Sequence, residues 1–68
     1  MARLEVTAPD ISCDQCRHNI QQDLGRESGV RAVEVDVVAK LVAIDYDEGE
    51  TGPPRLREAL TDSGYPPA

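Results

Sequence analysis

The apolar residues of this chain keep two different periods, and the order in which those periods follow one another restricts the fold more than anything else. Leu4, Val6 and Ala8 alternate with Arg3, Glu5 and Thr7, the period of two expected of a half-buried strand. Pro9-Asp10 ends that run. Cys16, Ile20 and Leu24 then recur every fourth residue, with Cys13 one turn earlier, which predicts an amphipathic helix from Asp14 to Leu24. Ser12 is the predicted N-cap, with Gln15 three residues on completing a capping-box pattern. Gly25 through Gly29 closes the helix and turns the chain. Val30, Val33, Val35 and Val37 return to the strand pattern, with Glu34 and Asp36 on the other face. A reversal near Ala39-Lys40 separates them from Val42, Ile44 and Tyr46, and two adjoining alternating runs make an antiparallel hairpin. After a polar loop, Pro53-Pro54 suits a helix start, where the missing N–H costs nothing. Leu56, Ala59 and Leu60 lie on one face of that second helix, and Gly64 caps it. Tyr65-Pro66-Pro67-Ala68 is expected to form a short or frayed fourth strand at a sheet edge, where proline is tolerated.

The resulting order, β-α-β-β-α-(β), is that of an α+β, ferredoxin-like βαββαβ fold: a four-stranded antiparallel sheet with two helices on one face. Residues 1–68 are expected to form a single domain, with no repeat or linker. Its core is predicted to include Val33, Val35, Val37, Val42 and Ile44. That core is small. The chain has no Phe and no Trp, and a domain of this size hides only about 60% of its unfolded surface.

Charge excludes some partners. Thirteen acidic residues against seven basic ones leave a net charge of −6, the wrong sign for displacing counterions from nucleic-acid phosphates. No apolar run approaches the ~18 residues that span a bilayer. Met1-Ala2-Arg3 leads straight into alternation rather than into the apolar segment of a secretion signal, so a cytoplasmic protein is expected.

Cys13-Asp14-Gln15-Cys16 is the only constellation of reactive groups. A CxxC at a loop-to-helix junction aims both sulfurs at one point, and the helix N-terminus favours thiolate over thiol. Thiolates are soft ligands that select Cu(I), Zn or iron–sulfur clusters. Two sulfurs suffice for a two-coordinate Cu(I), whereas structural zinc usually takes four ligands and a cluster held by four cysteines exceeds the two this chain has. A structural disulfide would close a tiny loop and remove little unfolded-state entropy, in a compartment that is reducing. Two buried structural thiols are the minor reading at a loop edge. Thiol–disulfide redox chemistry is the rival, because C-x-x-C opening a helix is also the thioredoxin-type arrangement.

Ile11-Ser12-Cys13-Asp14-Gln15-Cys16, then Ile20, Leu24, Gly29-Val30, the Val33-Val35 strand, Tyr46-Asp47 and Gly64-Tyr65 together resemble a heavy-metal-associated domain over essentially the whole chain. Within that family the likeness is to small bacterial copper chaperones. The resemblance implies that Cys13 and Cys16 hold Cu(I) as cargo. It implies delivery by ligand exchange to a similar CxxC in the metal-binding domain of a copper-transporting P-type ATPase, and a Tyr65 ring lying near the metal loop.

The chain departs from the family where Asp10-Ile11-Ser12 replaces the usual Gly-Met-Thr/Ser. Ile11 is expected to fill the apolar slot under the loop. Asp10, with Asp14, is expected to raise the thiol pKa values by like-charge repulsion, or to furnish the hard oxygen ligands that suit Zn(II). His18, two residues past Cys16, faces elsewhere on a helix and reads as a solvated side chain. The acidic residues are mostly a solvated face, or a docking surface for a basic partner domain. Tyr65 reads equally as core packing with its hydroxyl at the surface. The expectation is therefore a carrier rather than an enzyme. Its alternatives are a carrier of Zn(II) or another divalent ion and a redox protein, and the chain is expected to be a monomer or a dimer bridged by metal through four thiolates.

Overall fold

The computed structural model describes all residues 1–68. Strand β1 spans Ala2–Thr7, helix α1 Asp14–Gly25, strand β2 Val30–Asp36, strand β3 Leu41–Tyr46 and helix α2 Pro53–Asp62. The sheet is antiparallel, in the order β1-β3-β2.

The register shows why the two periods fit together. Three rows of apolar side chains cross one face of the sheet: Val6–Val42–Val35, Leu4–Ile44–Val33 and Ala2–Tyr46–Val30. Ile20 and Leu24 of α1 and Leu56, Ala59 and Leu60 of α2 share one cluster with those rows. The other face carries charge, with the Arg3 guanidinium donating to Asp45 at 3.0 Å. The position of each strand decides how far its inward residues are covered. Val42, Ile44 and Tyr46 of the central strand are buried, whereas Val33 and Val35, expected in the core, are half-buried because β2 is an edge strand, and Val37, also expected there, is half-buried in the turn just past it. A register shift between Val30 and Ala32 marks a bulge, which is why the valines at 30 and 33 are three residues apart rather than two.

Gly29 joins α1 to β2 at φ +86°, and a Cβ there would lie 2.9 Å from Glu50 Cβ. Both the backbone conformation and the space therefore require glycine. Its carbonyl accepts the Asp47 N–H at 2.7 Å, fastening β2 to the loop after β3.

The sheet has three strands, not the expected four. The C-terminal tail returns alongside β1, but a single backbone bond, from the Ala68 N–H to the Thr7 carbonyl at 2.8 Å, is formed there. Pro66 and Pro67 have no N–H to donate, so no ladder develops.

Candidate metal centre

The connection from β1 to α1 is held at several points. The Ala8 N–H donates to the Lys40 carbonyl at 2.8 Å, and the Ile11 N–H donates back to the Ala8 carbonyl at 3.1 Å, so Pro9-Asp10 occupies a tight turn. Ile11 is fully buried beneath it, as expected. Burying such a side chain is worth about 1.5–3 kcal/mol, and it anchors a loop whose next two residues, Ser12 and Cys13, are exposed.

Helix α1 begins one residue later than Ser12 would cap. Cys13 has extended backbone (φ −160°, ψ 173°) and makes no side-chain capping bond. Its carbonyl accepts the N–H groups of Cys16 at 3.1 Å and Arg17 at 3.3 Å, opening the helical ladder. The expected capping box is therefore absent. The Ser12 hydroxyl lies 3.8 Å from Cys16 Sγ, and the Gln15 amide donates to Asn19 Oδ1 at 3.1 Å. A weakly accepting thiol stands at the N-cap, so the donors of the first turn are left without a capping oxygen.

The two sulfurs are 3.6 Å apart. Both cysteines are free, Cys13 exposed and Cys16 partly buried. Two sulfurs each about 2.3 Å from one ion lie no more than about 4.6 Å apart, so this separation lets one ion touch both. No group of three or more His, Cys, Asp or Glu side chains gathers anywhere in the chain. Asp10 and Asp14 are exposed, and Asp14 pairs with Arg17 at 3.4 Å. His18 is exposed, as expected.

The expected rise in thiol pKa is reversed at Cys16. The Tyr65 hydroxyl donates to its sulfur, the Ser12 backbone N–H adds a second hydrogen bond, and the Cys13 and Ser12 side chains contribute further ones. Together they outweigh desolvation and bring Cys16 down to about 6. Neither Asp10 nor Asp14 is among the causes. The same bond raises Tyr65, since a phenol donating to sulfur resists losing its proton.

Tyr65 reaches the sulfur because of how α2 ends. Gly64 takes φ +97°. The Gly64 N–H donates to the Thr61 carbonyl at 3.0 Å and the Tyr65 N–H to the Leu60 carbonyl at 2.9 Å. These are the paired bonds of a Schellman motif, and they fold the chain back so that Tyr65 packs against the core. Both readings of Tyr65 meet in the structure: the residue packs against the core, and its hydroxyl influences Cys16. Its hydroxyl accepts from Asn19 Nδ2 at 3.3 Å. Gln15 thus donates to Asn19 and Asn19 to Tyr65, whose hydroxyl is the largest cause of the lowered Cys16 value. Sequence reasoning missed Asn19. Its only signal was its spacing, three residues past Cys16 and four past Gln15, the distances at which helical side chains meet.

Comparison with known proteins follows the same lines. The heavy-metal-associated domain, as a family, matches residues 5–66. The copper chaperone CopZ of Staphylococcus haemolyticus is 35% identical over 60 residues, covering 88% of each chain. A copper-transporting ATPase of Helicobacter pylori is 32% identical over 57 residues, 84% of this chain but 8% of the ATPase. Among solved structures, a CopZ metallochaperone superposes with a TM-score of 0.94 over 98% of this chain and 100% of its own, at 21% identity, a likeness of fold.

Proposed function

The chain belongs to the heavy-metal-associated domain family, and from that premise we propose that it is a carrier of copper, binding Cu(I) between Cys13 and Cys16. One observation carries the reading: two free thiols 3.6 Å apart, at an exposed helix start, with no His, Asp or Glu grouped with them as a third ligand. A soft ion that accepts two ligands suits that site, and a divalent ion seeking four does not. The absence of a third group disfavours the Zn(II) alternative built on Asp10 or Asp14.

The proposed work is transfer rather than catalysis. Exposed Cys13 is the sulfur that an incoming thiolate reaches first. The partner's thiolate bonds to Cu(I) to give a three-coordinate intermediate, one donor sulfur leaves, and a second partner thiolate displaces the other. Every step exchanges one Cu–S bond for another, with no change in oxidation state. A thiolate favoured at Cys16 near neutral pH leaves the metal without needing a proton to depart. The relatives favour a metal-binding domain of a copper-transporting P-type ATPase as acceptor, because a segment of such a transporter aligns with most of this chain. We place the protein in the cytoplasm as one heavy-metal-associated domain over residues 1–68, monomeric or bridged to a second copy by shared metal. No helix is long and apolar enough to cross a membrane.

A competitive titration of the reduced chain with Cu(I) and Zn(II) against chromophoric chelators tests the reading. A tight one-to-one Cu(I) complex that Zn(II) does not displace, lost in Cys13→Ser, is expected. Preferred Zn(II) binding that depends on Asp10 or Asp14 would replace copper with a divalent ion, and weak binding of both would direct attention to thiol–disulfide exchange.

A further inference from the structure

Lys40 lies in the β2–β3 turn, 27 positions along the sequence from Cys13, yet it bonds to both sides of the Pro9-Asp10 turn. Its backbone carbonyl accepts the Ala8 N–H, and its part-buried ammonium donates to the Ile11 carbonyl. Its backbone is left-handed, φ 59°, a conformation in which a lysine has no advantage over glycine or asparagine. What lysine supplies there is the ammonium.

The Ile11 carbonyl and the Ser12 N–H belong to one peptide group. That group is planar and trans, so the two dipole ends point in opposite directions, and no cis bond occurs in the chain. Holding the carbonyl toward Lys40 therefore fixes the direction of the Ser12 N–H as well, and Ser12 is the residue whose hydroxyl lies 3.8 Å from Cys16 Sγ. A cation on the carbonyl also polarises the amide, and neighbouring hydrogen bonds strengthen one another through such polarisation. The rest of Ile11 is already fixed, its N–H on Ala8 and its side chain in the core. Rotation of this one peptide is the freedom that remains.

We propose that Lys40 is a positioning residue of the metal loop, acting through the Ile11–Ser12 peptide to hold Ser12 beside the Cys16 sulfur. The inference rests on the reading of that loop as the Cu(I) site. It explains why the cation is half-buried while Val38, Ala39 and Leu41 around it are exposed.

The test uses two variants and two readouts. Lys40→Met keeps the stem without the ammonium, and Lys40→Gly relieves the left-handed backbone while removing the side chain. In the reduced, metal-free chain, nuclear magnetic resonance should show the Ser12 amide proton shifted and exchanging several-fold faster in both variants, with the amides of β2 and β3 keeping their protection. Titration with Cu(I) against a chelator should show affinity lowered roughly tenfold to a hundredfold, the usual effect of removing an outer-shell partner. An unchanged Ser12 amide in Lys40→Met would overturn the proposal. So would a Lys40→Gly variant that behaves as wild type, which would place the effect in the turn's backbone. Loss of protection across β2 and β3 would overturn it as well, since Lys40 would then act through the hairpin. Failure of the unaltered protein to bind Cu(I) would strike the carrier reading instead, leaving the Ser12 amide to judge Lys40 alone.

Discussion

The two helices start from nearly the same backbone and end up chemically unlike. Cys13 before α1 has φ −160° and ψ 173°, and Gly52 before α2 has φ −161° and ψ 175°. Neither residue makes a side-chain capping bond. At α2 the next two residues are Pro53 and Pro54, which have no N–H, so two of the orphan donors of a helix start are simply deleted. At α1 the corresponding residues are Asp14 and Gln15, whose N–H groups remain, and a sulfur stands on either side of them. One helix start is sealed and the other is left open. A helix start alone does not make a metal site, because α2 has the geometry without the chemistry. What distinguishes α1 is a pair of sulfurs 3.6 Å apart, with Tyr65 and Ser12 favouring the thiolate of one of them.

Removing a sulfur breaks the comparison most completely. Cys16→Ser should abolish tight Cu(I) binding, leaving α1 as inert as α2 in chelator competition. It should also change how stability depends on pH. A thiol lowered to about 6 in the folded chain, against an unfolded value near 8.5, binds its proton less well when folded. Folding is therefore favoured once the thiolate forms. That contribution is fully present above the unfolded value and is lost as pH falls through about 6. Thermal melts of the reduced, metal-free protein should rise in midpoint between roughly pH 6 and pH 8.5, and the Cys16→Ser melts should stay flat over that range.

Tyr65→Phe sharpens the comparison by removing the strongest cause of the shift while leaving both sulfurs. The ring stays packed, so the fold should hold. The Cys16 pKa should move up toward the ordinary thiol value, because the hydroxyl that donates to the sulfur is gone. Alkylation by iodoacetamide, followed against pH, reads this directly: the midpoint for Cys16 should move to higher pH, and the rise of stability above pH 6 should shrink. An unmoved midpoint would assign the lowered value to the loop's N–H groups instead.

How much of this was legible beforehand follows from which residues act locally. The period changes gave both helices and the hairpin, because side-chain spacing and the fold's inner face are the same fact seen twice. Pro53-Pro54 and Gly64 announced the bounds of α2, since each has a backbone constraint of its own. CxxC announced the paired sulfurs for the same reason. What could not be read were consequences of the third dimension. Val33 and Val35 look as apolar as Val42, and only the strand order decides that these two are half-covered. Ser12 looks like a cap, but the buried Ile11 beside it and the extended Cys13 after it pass the helix start one residue on. The sign of the Cys16 shift was misread because Asp10 and Asp14 are neighbours in sequence, whereas the group that dominates, Tyr65, is supplied by the far end of α2. Asn19 gave only its helical spacing and Lys40 no signal at all, since each acts through a partner distant in the chain.

A subtler way to break the comparison is to seal α1 as α2 is sealed. Asp14→Pro puts proline at the first helical position, where it is well tolerated, after a residue whose extended backbone already suits a following proline. Stability should hold or rise by about 0.4–1 kcal/mol through the unfolded state. One open N–H beside the sulfurs is lost, so Cu(I) affinity should fall relative to Asp14→Ala, which removes the same carboxylate and keeps the N–H. Equal affinity in the two variants would mean that the open amide at this position does not serve the site.

The smallest expected effect comes from α2, and it tests whether that end is as closed as its prolines make it. With Pro53 and Pro54 lacking N–H groups and the Leu56 N–H bonded to the Gly52 carbonyl at 3.1 Å, Arg55 carries the one free donor of the first turn. Gly52 has extended backbone that any residue adopts, and a Cβ there meets nothing closer than Pro54 Cδ at 3.9 Å. Gly52→Ser should therefore place its hydroxyl oxygen to accept the Arg55 N–H, gaining a few tenths of a kcal/mol. At about 4–8 °C per kcal/mol for a domain of this size, the melting midpoint should rise by roughly one or two degrees. Cu(I) affinity and the alkylation profile of Cys16 should not move. If either did, the two helix starts would be coupled through α2 and Tyr65, and the separation between a sealed end and an open one would fail.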